Sequence, residues 1–234
     1  MGLRLKCLPF NNVVNNGVAT LDLSSLLGTT IERIALQLGG TALTKAMLTS
    51  IQLKANGKII YDTSGSRRDT CMQYRGITAN AGFLVLDFSE IRSKTELGQS
   101  LGSLDTTMGV TSLKLEVTIA GATAPTLQGW AEVDRPQVDA AQSSTRGLIA
   151  RVHSSNQTIG GSGQFSLAVP HFAVAEGGSI YKRIAIFSAN MTGLLIKKKR
   201  RRGRGKHQGL ERLPAAGIPQ GAASWPVHDG FHHR

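Results

Sequence analysis

The sequence predicts a mainly β protein, built as a Greek-key sandwich or jelly roll. Apolar and polar residues alternate in several short segments, which is the pattern of strands that bury one face. The 234 residues include 27 glycines but only 5% aromatic residues, a composition that favours short strands and turns over long helices. The sequence contains no long amphipathic helix and no apolar run of the length that spans a membrane.

The first half of the chain contains the clearest strands. In Ile31–Leu38, the side chains of Ile34, Leu36 and Leu38 point one way and those between them point the other. The predicted strands of this half, in order, are Val18–Leu23, Ile31–Leu38, the hairpin Leu48–Tyr61, Phe83–Phe88, Leu113–Ile119 and Leu127–Val133. The predicted sandwich core consists of Leu21, Leu23, Ile34, Leu36, Leu38, Ile51, Leu53, Phe83, Leu113, Leu115, Val117 and Trp130.

Three local signals surround these strands. Residues 1–16 are mixed in character and predict an irregular lead-in, with 1–9 as an N-terminal arm. Asn56-Gly57 supplies the positive φ angles of a two-residue hairpin turn. Ser66–Tyr74 is the predicted helix, with Ser66 as its N-cap and Gly76 placed to end it.

The second half follows a polar linker that contains a proline, residues 135–146. Its predicted strands are Leu148–Val152, Phe165–Val169, Ile180–Phe187 and Leu194–Lys197. Three segments of the first half resemble three of the second in the same order: Gly17–Leu23 with Gly163–Val169, Arg33–Leu36 with Arg183–Ile186, and Thr49–Lys54 with Thr192–Lys197. The order predicts two copies of one β domain, the first over 10–134 and the opening strands of the second over 147–198.

Four segments carry a resemblance to a known family: IERIALQLGGTALTKAMLTSIQLKANGKIIYD, FLVLDFSE, GVTSLKLEVTIAGATAPTLQGWAEV and IYKRIAIFSANMTGLLIKK. They resemble the double jelly-roll major coat proteins of tailless, membrane-containing icosahedral bacteriophages (corticovirus- and tectivirus-like) and related prophages. The resemblance covers roughly residues 8–198. After Lys198 the family pattern continues with a hairpin, a helix and further strands, so here the first roll is complete and the second only partly present.

The resemblance implies a structural role. The expected protein is a viral major capsid protein that forms homotrimeric capsomers of an icosahedral shell. It is located in the virion, and in the host cytoplasm before assembly. The implied partners are further copies of the chain, other virion proteins and an internal viral membrane. The family implies no enzyme activity, no cofactor and no catalytic residues.

Positive charge is concentrated near the C-terminus. The chain has a formal net charge of +12, and residues 197–234 hold 10 of its 27 Lys and Arg but only 2 of its 15 Asp and Glu. Such a run neutralises phosphates in a salt-dependent way, so the alternative function is a basic-tailed nucleic-acid-binding protein of a prophage. No interleaved aromatic side chains offer base stacking. The candidate nucleic-acid-binding residues are Lys197, Lys198, Lys199, Arg200, Arg201, Arg202, Arg204 and Lys206.

A different hypothesis, which we favour, treats residues 199–234 as a disordered, frameshifted translation. Codons exist for Lys199–Leu213 such that removal of one adenine gives Asn-Gly-Val-Glu-Val-Glu-Glu-Asn-Thr-Lys-Ala-Leu-Asn-Asp-Tyr. That sequence is a hairpin turn, a strand and a helix, the same succession as in Asn56–Tyr74. Under this hypothesis the basic run is an accidental, solvated charge run.

The remaining chemistry-bearing patterns are weak. Gly98–Gly102 matches the GxSxG motif with Ser100 as the nucleophile of a serine hydrolase, but it lies in a polar loop of a β protein, without the strand and helix that the motif needs. Asp87 and Glu90 have the spacing of paired carboxylates, and a strand end that enters a solvated loop explains them better.

The candidate metal and redox residues are equally isolated. His228, His232 and His233 have no cysteine or carboxylate cluster to complete a metal site. Cys7 and Cys71 form no CxxC motif and predict two reduced thiols. We therefore assign no catalytic, cofactor-binding or metal-binding residue.

Overall fold

The structure, a computed structural model, describes residues 3–90, 93–95, 98, 102–107, 109–135, 151–169, 181–195, 212–214 and 223–226. The chain divides into two compact units, Met1–Gly177 and Gly178–Arg234. Across the described ranges, no helix has the length and apolar character needed to cross a membrane.

The described part of the first unit consists mainly of β-strands, with one α-helix. The strands are β1 (Leu3–Lys6), β2 (Gly17–Asp22), β3 (Thr30–Ala42), β4 (Leu48–Ala55), β5 (Lys58–Thr63), β6 (Phe83–Asp87), β7 (Leu104–Asp105), β8 (Leu113–Ile119) and β9 (Thr123–Asp134). The helix α1 is Gly65–Tyr74, and 3-10 turns occupy Ser24–Leu26 and Lys45–Met47.

These strands form two antiparallel sheets. Sheet A has the order β1-β9-β3-β6, with the short β7 also paired with β3, and sheet B has the order β2-β8-β4-β5. With the two-residue β7 left aside, eight strands remain, and their distribution between the sheets is that of a jelly roll. The prediction of a mainly β jelly-roll sandwich is confirmed, and the first roll is complete.

The hydrophobic core lies between the two sheets, as the alternating pattern predicts. The predicted core residues that are at most 7% exposed are Leu21, Leu23, Ile34, Leu36, Leu38, Ile51, Leu53, Leu113, Leu115 and Val117. Each fully buried leucine or isoleucine contributes about 1.5–3 kcal/mol relative to leaving it in water. Burial between the sheets is therefore the main stabilising term of this roll.

Two predicted core residues lie outside it. Phe83 is 39% exposed, because β6 buries Leu84 and Leu86 instead. Trp130 lies on the outer face of sheet A, where its indole Nε1–H donates to Gln37 Oε1 at 3.0 Å. These two predictions were wrong because side chains alternate along a strand, so an error of one residue moves a side chain to the opposite face.

Gly129 shows why the inward positions beside Trp130 carry small residues. A Cβ at Gly129 would lie 2.8 Å from Leu21 Cδ2 of the opposite sheet and 3.3 Å from Cys7 Cβ. The next inward residue is Ala131, which is fully buried. The sheets therefore approach closely here, and the large indole is accommodated only on the outside.

The predicted hairpin turn is confirmed. Asn56 and Gly57 have φ angles of 50° and 77°, and Ala55 pairs with Lys58. The Asn56 side chain also accepts from the backbone N–H groups of Thr111 and Ser112, at 2.8 and 3.1 Å. The turn is thereby attached to the residues that lead into β8.

The helix was predicted correctly except at its N-cap. Ser64 rather than Ser66 is the cap, and its Oγ accepts from the backbone N–H of Arg67 at 3.4 Å. Gly76, with φ 73°, ends the helix as predicted. Its N–H donates to Gln73 O at 2.9 Å and the next N–H donates to Met72 O at 3.0 Å, which is the Schellman motif.

The irregular lead-in predicted for residues 1–16 was wrong over Leu3–Lys6. Leu3–Lys6 forms strand β1 at the edge of sheet A and pairs with residues 130–133 of β9. Leu3 is 62% exposed, and within this strand it is Leu5 that packs against the core. Backbone pairing with β9 holds it in place.

The last described part of the first unit, residues 151–169, is mostly irregular. Val152 forms a single parallel bridge with Tyr61 of β5. The predicted strand Phe165–Val169 is not formed, and Phe165 and Leu167 are 49% and 43% exposed. Residues 148–150 of the other predicted strand lie outside the described residues.

The second unit contains short antiparallel pairs. Strand β10 (Arg183–Ile186) pairs with β13 (Ala223–Pro226), and β11 (Gly193–Leu195) pairs with β12 (Arg212–Pro214). β10 and β11 fall in the predicted strands Ile180–Phe187 and Leu194–Lys197. β12 and β13 fall in the segment for which the sequence predicts no strand.

Of the predicted linker, only residue 135 is described, and the proposed domain boundaries remain predictions.

Candidate assembly surface

Most of the residues singled out for chemistry lie outside the described ranges. They are Ser100, the histidines His228, His232 and His233, and the basic run Lys197, Lys198, Lys199, Arg200, Arg201, Arg202, Arg204 and Lys206. The statements about them remain sequence predictions.

Arg75, the C-cap residue of helix α1, joins Asp87 to Glu90. Arg75 Nη1 lies 3.1 Å from Asp87 Oδ2, and its Nη2 lies 2.8 Å from Glu90 Oε2. Arg68 Nη2 lies 3.4 Å from Asp87 Oδ2, an ion pair without hydrogen-bond geometry, while its Nε donates to Val85 O at 2.7 Å. The carboxylates neutralise two guanidinium groups and attach α1 to the end of β6, which is a structural role.

Two buried titratable groups of the core are held in their neutral forms. Burial raises the pKa of the Tyr61 hydroxyl, whose ring packs edge-on against Phe88 with centroids 5.6 Å apart. Burial also raises the pKa of the Cys7 thiol to about 11. A nucleophile needs the opposite shift, so Cys7 is a core residue rather than a reactive thiol.

The described residues contain no metal-binding cluster, and their surface has a shallow depression. Among the described residues, no group of three or more His, Cys, Asp or Glu side chains could hold a metal ion. A shallow depression near the start of β9 is lined by residues without titratable side chains: Val13, Val14, Asn15, Asn16, Ala124 and Pro125. The outer faces of the two sheets are the larger candidate surfaces for contact with a partner.

The outer face of sheet B is polar at its centre. The register places Thr20, Glu116, Gln52 and Asp62 in one row across its four strands. Beside this row, Lys54 Nζ pairs with Glu116 Oε2 at 2.6 Å, and both side chains are 28% exposed. Such a face is suited to contact with water.

The outer face of sheet A differs in character. The register places Lys6, Trp130, Ala35 and Val85 in one row across its four strands. The Lys6 ammonium lies 5.9 Å from the centroid of the Trp130 ring, and Phe83 is exposed in the neighbouring row. Aromatic side chains of this kind are enriched where proteins contact one another. Sequence reasoning missed this surface because it assigned both aromatic residues to the core.

Charged side chains border this row. Glu132 is held between two arginines: Arg4 Nη2 lies 2.6 Å from its Oε1, and Arg33 Nε lies 2.7 Å from its Oε2. Arg4 is 70% exposed, so it remains accessible from outside. The outer face of sheet A thus combines apolar, aromatic and arginine groups, and we name it the sheet A face.

Comparisons with known proteins agree with this fold. The model of the viral coat protein P2 N-terminal domain matches residues 4–134. The structure is similar to the crystal structure of the major capsid protein P2 from Bacteriophage PM2, with a TM-score of 0.52 and 17% sequence identity. The match covers 58% of this chain and 52% of that chain, so the chain spans about half the length of this relative. No curated protein sequence matches the chain.

Proposed function

The chain belongs to the family of the viral coat protein P2 N-terminal domain, and from this membership we propose that it is a major capsid protein of a bacteriophage. The family confirms the resemblance to double jelly-roll coat proteins that the sequence segments carry. The observation that carries the proposal is the complete jelly roll over the matched residues, with a core filled by apolar side chains. Its function then depends on surfaces that symmetry repeats in a shell.

We further propose that the chain forms homotrimeric capsomers of an icosahedral shell and originates from a phage or prophage. The proposed location is the virion, with the host cytoplasm before assembly. Other virion proteins and an internal viral membrane are the remaining proposed partners. The sheet A face supports subunit contact, because it presents Trp130 and Phe83 outward.

The test is the oligomeric state of the full chain, measured by size-exclusion chromatography with multi-angle light scattering. Because the second roll is only partly present, we expect a weakly associating trimer. A monomer over the whole accessible concentration range would contradict trimeric assembly. Trp130→Ser should weaken the trimer, whereas Gln52→Ser in the polar row of sheet B should not. Far-UV circular dichroism of both variants separates lost contacts from lost folding. A Trp130→Ser trimer as stable as the wild type would exclude the sheet A face as the contact.

The alternative function, nucleic-acid binding, rests on the basic run Lys197–Lys206. Deletion of residues 197–234 discriminates between the two functions. Loss of specific binding would favour the nucleic-acid-binding function, and unchanged oligomerisation would favour the capsid. The salt dependence of binding reports how many phosphates the run neutralises.

For the second half we propose that residues 147–198 are the opening strands of a second roll and that 199–234 result from a shifted reading frame. The nucleotide sequence across the codons for Ile196–Gly205 tests this directly. Another frame that continues with Asn-Gly and alternating strands is expected. An intact frame without such a continuation would establish the basic tail as genuine.

A further inference from the structure

Strand β5 is the edge strand of sheet B, and a later part of the chain lies against it. The N–H of Val152 donates to Ile60 O at 3.0 Å, and its carbonyl accepts from the N–H of Asp62 at 2.8 Å. Val152 thus bonds to the two residues that flank Tyr61, and it forms a parallel bridge with Tyr61 itself. An exposed strand edge tends to pair with any extended chain, so this contact closes an edge that would otherwise be open.

A side chain of helix α1 holds the same segment further along. Arg67 donates from Nη1 to Ser154 Oγ and from Nη2 to Asn156 Oδ1, the latter at 2.5 Å. The two acceptors are two residues apart, so in an extended chain they lie on the same side. Backbone groups of β5 and one guanidinium thus bind the segment 151–156 together.

The attachment of this segment depends on polar contacts. Val152 is 36% exposed, and most residues of the segment are exposed. The segment therefore adds little to the buried core, and its position depends on hydrogen bonds that a competing strand could supply equally well. This is the pattern of peptide recognition by strand addition, in which main-chain bonds give affinity and side-chain contacts give specificity.

We propose that the β5 edge and Arg67 form a binding site for an extended peptide in parallel orientation, and that its occupant is segment 151–156 of the same chain. The site holds residues 151–156 against the first roll. Release of the segment exposes the edge to another strand. This inference is independent of the capsid proposal.

Chain length favours the same chain over a second copy as the source of the occupant. Residues 136–150 separate the end of the roll from the segment, and 15 residues reach about 50 Å when extended. A roll of this size is about 35 Å across, so the connection is long enough. Intramolecular binding also benefits from an effective concentration on the order of millimolar.

Hydrogen exchange of the Asp62 amide in the full chain tests the site. We expect Val152→Pro, which removes the N–H donated to Ile60, to raise the exchange rate of that amide about tenfold or more. Arg67→Ala should act in the same direction. The matched controls are Ile159→Pro, an exposed position of the same irregular stretch, and Lys114→Ala, which removes an exposed cation from β8. Both should leave the exchange rate of the Asp62 amide at the wild-type value. Equal Asp62 exchange rates in the wild type, Val152→Pro and Arg67→Ala would overturn the proposal.

Photocrosslinking identifies the source of the occupant. A benzoylphenylalanine at position 152 is placed in an equal mixture of ¹⁴N- and ¹⁵N-labelled chains, and crosslinked peptides are mapped by mass spectrometry. Crosslinks to β5 or α1 with uniform isotope composition support binding within one chain. Mixed-isotope crosslinks would overturn it in favour of a second copy, and crosslinks to neither element would overturn the site itself.

Discussion

The ion pairs of Asp87 with Arg68 and Arg75 should contribute strongly to the free energy of unfolding of the first roll. Asp87 is 3% exposed, and the side chains of Arg68 and Arg75 are 9% and 13% exposed. Asp87→Asn preserves the shape of the side chain but removes its charge. Two guanidinium groups then remain beside a neutral amide, with Glu90 left as a carboxylate partner of Arg75.

The magnitude follows from burial. A pair of charges about 4 Å apart interacts with about 4 kcal/mol at the effective dielectric constant of a protein surface, and part of this is offset by desolvation of the carboxylate. Removing one partner of a buried ion pair typically costs about 3–5 kcal/mol. We expect a loss of that size in the free energy of unfolding. It corresponds to a melting temperature lower by about 10 °C.

Urea denaturation followed by far-UV circular dichroism measures the loss, since guanidinium chloride would screen the charges. Glu116→Gln is the matched control, because Lys54 and Glu116 pair at 2.6 Å while both are 28% exposed. Exposed pairs contribute about 0–1 kcal/mol, so this variant should stay close to the wild type. Equal losses in Asp87→Asn and Glu116→Gln, with unchanged m-values, would refute the argument from burial.

Three further predictions concern the backbone and pH. Asn56→Gly keeps the turn but removes the side-chain bonds to the loop before β8, so it should lower the free energy of unfolding in urea by about 1–2 kcal/mol. Asn56→Ala should lower it by about 1 kcal/mol more, because residue 56 has a positive φ that alanine adopts only with strain. Equal losses in the two variants would contradict this. Gly40→Ala and Gly28→Ala introduce a side chain at similar positive φ angles, but only at Gly40 would the new Cβ lie 2.1 Å from Ala124 O. Gly40→Ala should therefore lower the melting temperature clearly more than Gly28→Ala. Similar melting temperatures for the two variants would disprove the clash. Burial, together with the neighbouring carboxylate of Asp134, raises the pKa of Glu32 in the fold, so the protein loses stability as pH rises through that pKa and Glu32 ionises. Glu32→Gln should therefore be more stable than the wild type at pH 7, and this difference should vanish below about pH 4. A stability difference that is independent of pH would exclude this cause.

The alternating strands were predictable because each has one clearly apolar face. Leu113, Leu115 and Val117 alternate with polar residues, and all three are fully buried. Phe83 precedes a run of apolar residues in which alternation has no visible phase, so the sequence could not tell which side is inward. At Trp130 the close approach of the sheets required small inward residues, a tertiary constraint that no local pattern records.

The candidate surface was less predictable than the fold. The pairing of β1 with β9 and the bridge of Val152 to β5 both join residues far apart in the chain, so no local pattern in the sequence identifies the partner strand. The ion pairs of Asp87 likewise depend on where α1 packs. Spacing along the chain identified Asp87 and Glu90 as neighbours but could not reveal the arginine between them.

The position of the β8–β9 hairpin has a consequence for how the protein is made. β8 lies between β2 and β4, and β9 lies between β1 and β3, so the last hairpin of the roll occupies the middle of both sheets. Within this roll, a ribosome releases the hairpin last. β2 has no strand to join it to the rest until β8 has emerged, and β1 has none until β9 has emerged. Long-range pairing of this kind folds slowly, on the scale of milliseconds to seconds. Synthesis must therefore pass β8 before sheet B closes and β9 before sheet A closes, and a nascent chain arrested earlier exposes the gaps that the hairpin fills.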